Sequence, residues 1–165
     1  MNELLYKNTF IRDKNTIGEM FKNYYLKSTR FKIIYYILIA AQLFSFCSDL
    51  DFFFTILFYN CIAIALILLS YYYNVKIAIK RDKEISNGKE ILVDVNVYDD
   101  RLEANIIEYK HTLYWGDVDY ASATKNYIII NTKARFSYIL KKDSFSIGTS
   151  EQFLEFLKDN NIKVK

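Results

Sequence analysis

The chain has 165 residues, a formal net charge of +3, two cysteines, one histidine and no proline. That length holds one ordinary domain plus a short membrane unit. The small charge leaves no electrostatic footprint for nucleic acid, and two cysteines without Cys/His spacing exclude a zinc motif. The apolar residues are segregated. Between Ile33 and Tyr73 the only formal charges are Asp49 and Asp51, whereas the chain is densely charged from Asn74 onward.

In chain order, Leu4 to Ile11 reads as a short strand. Residues 16–31 read as an amphipathic helix. Thr16 with Glu19 forms a capping box, and Ile17, Met20, Phe21, Tyr24, Tyr25 and Phe31 keep to one stripe. Two placements stay open for this helix, the membrane interface or the surface of the later domain. Residues 1–30 thus form a cytoplasmic N-terminal segment.

Residues 31–73 predict a transmembrane helical hairpin. Its first apolar stretch, Phe31 to Cys47, covers about 25 Å and its second, Phe52 to Tyr73, about 33 Å, against a hydrocarbon core of ~30 Å. Lys32 snorkels to the interface. The link Ser48-Asp49-Leu50-Asp51 is short enough to force an antiparallel pair. Gln42 and Asn60 fall within about 3–4 Å of one another in depth, which predicts a hydrogen bond between the helices. Cys47 and Cys61 lie roughly 13 Å apart along the hairpin and are expected as free thiols.

Lysine and arginine are dense on both flanks of the hairpin and absent from its turn. The positive-inside rule therefore puts both termini in the cytoplasm, with the hairpin in the cytoplasmic membrane. Lys76, Lys80, Arg81 and Lys83 set this topology and are the expected contacts to anionic lipid. They sit in a helical linker, residues 74–88, that Ser86-Asn87-Gly88 ends.

Residues 89–165 read as a cytoplasmic β domain. Ile91, Val93, Val95 and Val97 alternate with Leu92, Asp94 and Asn96. Strands follow at Arg101 to Glu108, His111 to Trp115, Tyr120 to Thr124, Tyr127 to Asn131 and Arg135 to Leu140. Trp115 is expected as a core anchor. The tail Thr149 to Asn160 reads as a helix with a capping box, Thr149 with Gln152, and a stripe of Phe153, Phe156 and Leu157. The fold class is therefore an α+β membrane protein: the hairpin, then a small antiparallel pleckstrin-homology-like β-barrel capped by a C-terminal helix. Residues 89–165 carry their own alternation and capping helix, so this fragment is expected to fold without the hairpin.

The layout resembles the YcxB-like family of small bacterial membrane proteins. The resembling residues are Val97-Tyr98-Asp99-Asp100-Arg101-Leu102-Glu103, Leu113-Tyr114-Trp115-Gly116-Asp117-Val118, Lys125-Asn126-Tyr127-Ile128-Ile129-Ile130 and Ile139-Leu140-Lys141-Lys142-Asp143-Ser144-Phe145. Leu140-Lys141 stands where the family carries a Pro-Lys pair. The resemblance implies a membrane-anchored, pleckstrin-homology-like cytosolic domain and no established reaction.

No catalytic, cofactor or metal site is legible. The chain has no nucleophile motif and no Gly-rich phosphate loop. His111 has no sequence-local partner and reads as a solvated strand residue. Asp99 and Asp100 read as turn residues. The acidic Asp99-Asp100-Arg101 turn speaks against phosphoinositide binding. The expectation is a non-catalytic, membrane-anchored protein-interaction module, with an immunity protein against a toxin or bacteriocin at the membrane as the alternative. The expected partners are the lipid bilayer and an unidentified protein, with no nucleic acid; a homo-oligomer also fits.

Overall fold

The structure is a computed structural model and describes residues 3–107, 109–134 and 136–165. Glu108 and Arg135, where the sequence places the end of one strand and the start of another, lie outside the described residues. The class is α+β, with two long apolar helices and two antiparallel sheets. The chain divides into two compact units, one of Met1–Met20 with Arg81–Lys165 and one of Phe21–Lys80.

The first unit holds both sheets. Strand β1 (Leu4–Arg12) pairs antiparallel with β2 (Ile91–Tyr98), Phe10 facing Val93 and Asn8 facing Val95. β3 (Arg101–Ile106) and β4 (Tyr109–Tyr114) continue the meander. A second sheet is built from β5 (Val118–Ala123), β6 (Tyr127–Thr132) and β7 (Ser137–Lys141). A short strand that the sequence pattern does not announce, β8 (Phe145–Ile147), pairs with the other side of β1. The order in the larger sheet is β4-β3-β2-β1-β8.

Two sequence expectations change here. The strands form two separate sheets rather than a closed barrel. The unit also starts at the N-terminus, since β1 lies between β2 and β8, inside the sheet. The boundary at Lys89 cuts the unit's own hydrogen-bond ladder.

The core follows from the strand periodicity. Ile91, Val93, Val95 and Val97 turn inward, as the period of two requires, against Leu102, Ala104 and Leu113. The run Tyr127-Ile128-Ile129-Ile130 does not alternate because β6 is buried on both faces. On one of them Tyr127 Oη lies 3.4 Å from the Thr16 hydroxyl. The C-terminal helix α4 (Ser150–Asp159) carries the expected capping box: Gln152 N–H donates to Thr149 Oγ1 at 3.2 Å and Thr149 N–H to Gln152 Oε1 at 3.0 Å. It buries Phe153 and Leu157 completely.

Helix α1 (Lys14–Lys27) begins two residues ahead of the expected cap. Its first turn is closed by Asp13, whose Oδ1 accepts from Thr16 N–H and from the Thr16 hydroxyl, each at 2.8 Å. Thr16 is therefore a buried residue inside the helix and not its cap. Burial raises the Asp13 carboxyl, but the bonds from Thr16 outweigh it and hold the group below the usual carboxylate range.

The second unit is helical. α2 (Thr29–Phe46) and α3 (Leu50–Ile85) are long and apolar enough to cross a membrane, and hardly a residue in the apolar window of either is buried. Asp49 starts α3 by accepting from Phe52 N–H at 2.7 Å. The expected linker after the second stretch is a continuation of this same helix. The later part of α1 packs here through Tyr25. Its ring meets Phe31 and Tyr71, and its hydroxyl lies 2.8 Å from Ser70 Oγ while accepting from Asn74 Nδ2 at 3.0 Å.

Candidate interaction surface

Hydrogen-bond alternation fixes which strand edges are open. In an antiparallel pair, residues that exchange bonds alternate with residues whose N–H and C=O point away. At the foot of the β3–β4 hairpin Trp115 N–H donates to Asp100 O at 3.4 Å. The next pair, Arg101 with Tyr114, is therefore of the outward type, as are Glu103 with Thr112 and Asn105 with Lys110. On β4 the backbone groups of Lys110, Thr112 and Tyr114 face away from β3, and β4 is the last strand of its sheet.

The other edges are treated differently. Along β5 the tail runs parallel: Ala121 N–H donates to Lys163 O, Lys165 N–H to Ala121 O and Ala123 N–H to Lys165 O. Along β7, Lys142 N–H donates to Asn126 O at 2.9 Å, so the Tyr127–Lys141 pair leaves the Lys141 backbone pointing outward. Asn8 meets it. Asn8 Nδ2 donates to Lys141 O at 2.7 Å and Asn8 Oδ1 accepts from Lys141 N–H at 3.0 Å. One buried amide thus replaces a strand's pair of ladder bonds and ties the two sheets together. β8, on the far side of the larger sheet, is only three residues long. β4 has no such neighbour along its outward groups among the described residues.

Apart from Leu113, its side chains are exposed as well, with Tyr109 at 62 % and Tyr114 at 55 %. At the hairpin tip Ile107 has φ of +58°, a left-handed conformation that is an outlier for a β-branched residue. On the outer face Arg101 Nε donates to Glu103 Oε1 at 3.0 Å, and Lys110 Nζ lies 2.8 Å from Glu103 Oε2. The bonds from Lys110 and then from Arg101 hold the Glu103 carboxyl low. Arg101 also pairs with Asp100 and lies over the Tyr98 ring.

The remaining sequence candidates are placed as follows. His111 is exposed on β4. Trp115 leaves the strand and lies in a 3-10 turn, half-buried, its Nε1–H donating to Tyr98 O at 3.2 Å and its ring edge-on to Phe156. It is a shoulder of the core and not its anchor. Gln42 and Asn60 meet: Asn60 Nδ2 donates to Gln42 Oε1 at 3.1 Å and to Leu38 O at 3.2 Å. Lys76, Lys80, Arg81 and Lys83 are exposed on α3. Cys47 and Cys61 are free thiols. An open cleft of about 390 Å³ lies between β1 and α4, lined by Tyr6, Phe156, Glu155 and Asp159 among others. Burial, and then the charges of Glu155 and Asp159, raise the Tyr6 phenol. No cluster of three metal-ligating side chains occurs among the described residues.

Sequence reasoning missed Asn8 and Ile107. Asn8 had a signal: it is the one amide on a strand face that otherwise carries Tyr6 and Phe10. Ile107 had none, because an isoleucine does not announce a left-handed turn.

Residues 97–157 match the family model described as YcxB-like protein, so the family resemblance drawn from the sequence stands. No curated protein and no solved structure matches the chain.

Proposed function

We propose that this chain, YcxB-like over residues 97–157, is a membrane-anchored protein-interaction module without catalytic activity. The observation that carries the reading is the open edge of β4, flanked by exposed Tyr109 and Tyr114, in a domain where the tail bonds to the β5 edge and Asn8 meets the β7 edge at Lys141. Soluble proteins blunt such edges with proline, bulges or charged side chains; β4 has neither proline nor bulge, and its one lysine, Lys110, is drawn back onto Glu103. Paired strands are what an edge of this kind offers a partner.

On this reading α2 and α3 are the anchor. Their exposed apolar surface far exceeds what a water-soluble chain presents. Both termini lie in the cytoplasm, and Lys76, Lys80, Arg81 and Lys83 meet anionic headgroups. The domain is of the pleckstrin-homology-like type. An antiparallel meander β1–β4, a three-stranded antiparallel sheet and a C-terminal helix support that assignment. The hairpin is then an insertion between its first and second strands.

The test is site-specific photo-crosslinking of the full chain in cells. A crosslinker at Tyr109 or Tyr114 is expected to give a discrete protein adduct, and one at Glu155, on α4, to give none. Absence of an adduct from both tyrosines would refute the reading.

A further inference from the structure

From the geometry of β4 we infer that the partner at this edge is a second copy of the same chain, joined through an antiparallel β4–β4 pair about a two-fold axis at Thr112. The inference deepens the interaction reading and rests on it.

The register follows from which backbone groups are free. A two-fold axis normal to the sheet pairs residues on the same face. Only Lys110, Thr112 and Tyr114 offer outward N–H and C=O. Centring the axis on Thr112 sets Thr112 against Thr112 of the second copy and Lys110 against its Tyr114. Every free group is then used, each pair exchanging two N–H···O bonds. Moving the axis to His111 sets Lys110 against Thr112 and carries Tyr114 past the start of the other β4, at Tyr109. The Thr112 register is therefore the one that satisfies the edge.

The side chains agree with it. Directly opposed like charges disfavour a strand pair, and here Lys110 faces a tyrosine instead of another lysine. Its ammonium, already held by Glu103, lies within reach of an aromatic face. Threonine opposite threonine is a favoured cross-strand pair. The strand is self-complementary, as a closed two-fold interface requires. Chains held in one bilayer also meet at raised effective concentration.

The test uses the full chain in native membranes, with Cys47 and Cys61 changed to alanine. In a bond-exchanging antiparallel pair the Cα atoms lie about 5.5 Å apart, inside disulfide range. Thr112→Cys is therefore expected to give a disulfide-linked dimer under mild oxidation. Lys110→Cys alone and Tyr114→Cys alone place like residues about 14 Å apart, four residues along the strand, and should not link. Mixed Lys110→Cys and Tyr114→Cys chains should. Thr112→Pro removes one edge N–H at a position where an edge strand tolerates proline, so it should abolish the dimer while Trp115 fluorescence stays native.

Equal linking at all three positions, or a dimer that survives Thr112→Pro, would overturn the register. Linking of the Thr112→Cys chain to a different protein would overturn the second copy while leaving the interaction reading intact. A monomer with no disulfide in the Thr112→Cys chain and no crosslinked adduct from Tyr109 or Tyr114 would remove both.

Discussion

Asn8 offers the sharpest test of how the two sheets are joined. Asn8→Ala removes both bonds to Lys141 and leaves that residue's N–H and C=O without partners at a site where Asn8 itself is 0 % exposed. A lost hydrogen bond costs about 0.5–1.5 kcal/mol, and a buried group left unpaired about 1–3. Lys141 is half-buried, so water restores part of the loss, and the sum comes to roughly 2–4 kcal/mol. With a urea slope of about 1–3 kcal/mol per M, the midpoint should fall by roughly 1–3 M with the slope unchanged. The single tryptophan, Trp115, belongs to the same unit and reports the transition by fluorescence in detergent-solubilised chain. Asn8→Asp adds a signature of its own. A buried carboxyl facing the Lys141 carbonyl titrates above its unfolded value. Its native-state partner bond is present below the unfolded pKa and lost as pH rises through the folded pKa. Measured against wild type at each pH, Asn8→Asp should thus be least destabilised in acid and most at neutrality. An Asn8→Ala midpoint within about 0.3 M of wild type would contradict this account of the joint.

The other predictions need simpler measurements. Thr149→Ala breaks the capping box of α4 and should cost about 0.5–2 kcal/mol in the same urea assay. Gly148→Ala should destabilise by about 1–3 kcal/mol, because Gly148 has φ of +73° and an added Cβ would collide with the Tyr6 ring. The Glu103 carboxyl is held low by Lys110 and Arg101, so its contribution is present above its unfolded pKa and lost as pH falls through the lower folded one; Glu103→Gln should remove that component of an acid-unfolding curve. A fragment of residues 89–165 should give no cooperative transition, whereas joining residues 1–20 to 81–165 by a flexible linker should restore one by circular dichroism.

Much of this fold is legible in the sequence because its signals are local. The alternation Ile91-Val93-Val95-Val97 predicts β2 from burial on one face alone, and Thr149 with Gln152 predicts α4 from two side chains. The two long apolar runs stand out by composition. The pairing of Gln42 with Asn60 needs only helical rise. The start of α1 is misread for a physical reason: Thr16 and Asp13 both supply an oxygen at the right spacing, and Thr16 is buried beside Tyr127, far away in sequence, while Asp13 closes the turn. The burial of Trp115 is overestimated because residue size indicates core, while Gly116 and Asp117 bend the chain out of the strand before the ring is covered.

The largest departure, the placement of β1, comes from non-local pairing. Read along the chain, a nine-residue strand ahead of two membrane-length helices looks like a separate preface. Its partners lie on the far side of α3, at Ile91–Tyr98 and Phe145–Ile147, and no local pattern records that distance. What the strand does carry is a polar residue where alternation calls for an apolar one. Asn8 sits between Tyr6 and Phe10 on the inward face, and a buried amide is stable only with its hydrogen bonds made. The sequence therefore contains the demand for an acceptor and a donor without naming them. The fold supplies both from Lys141, the outward-facing residue at the end of β7. The same alternation rule that points Lys141 toward Asn8 leaves Lys110, Thr112 and Tyr114 facing outward on β4. At Lys141 the edge is met from within the chain, and on β4 the outward groups are the ones we propose a partner meets.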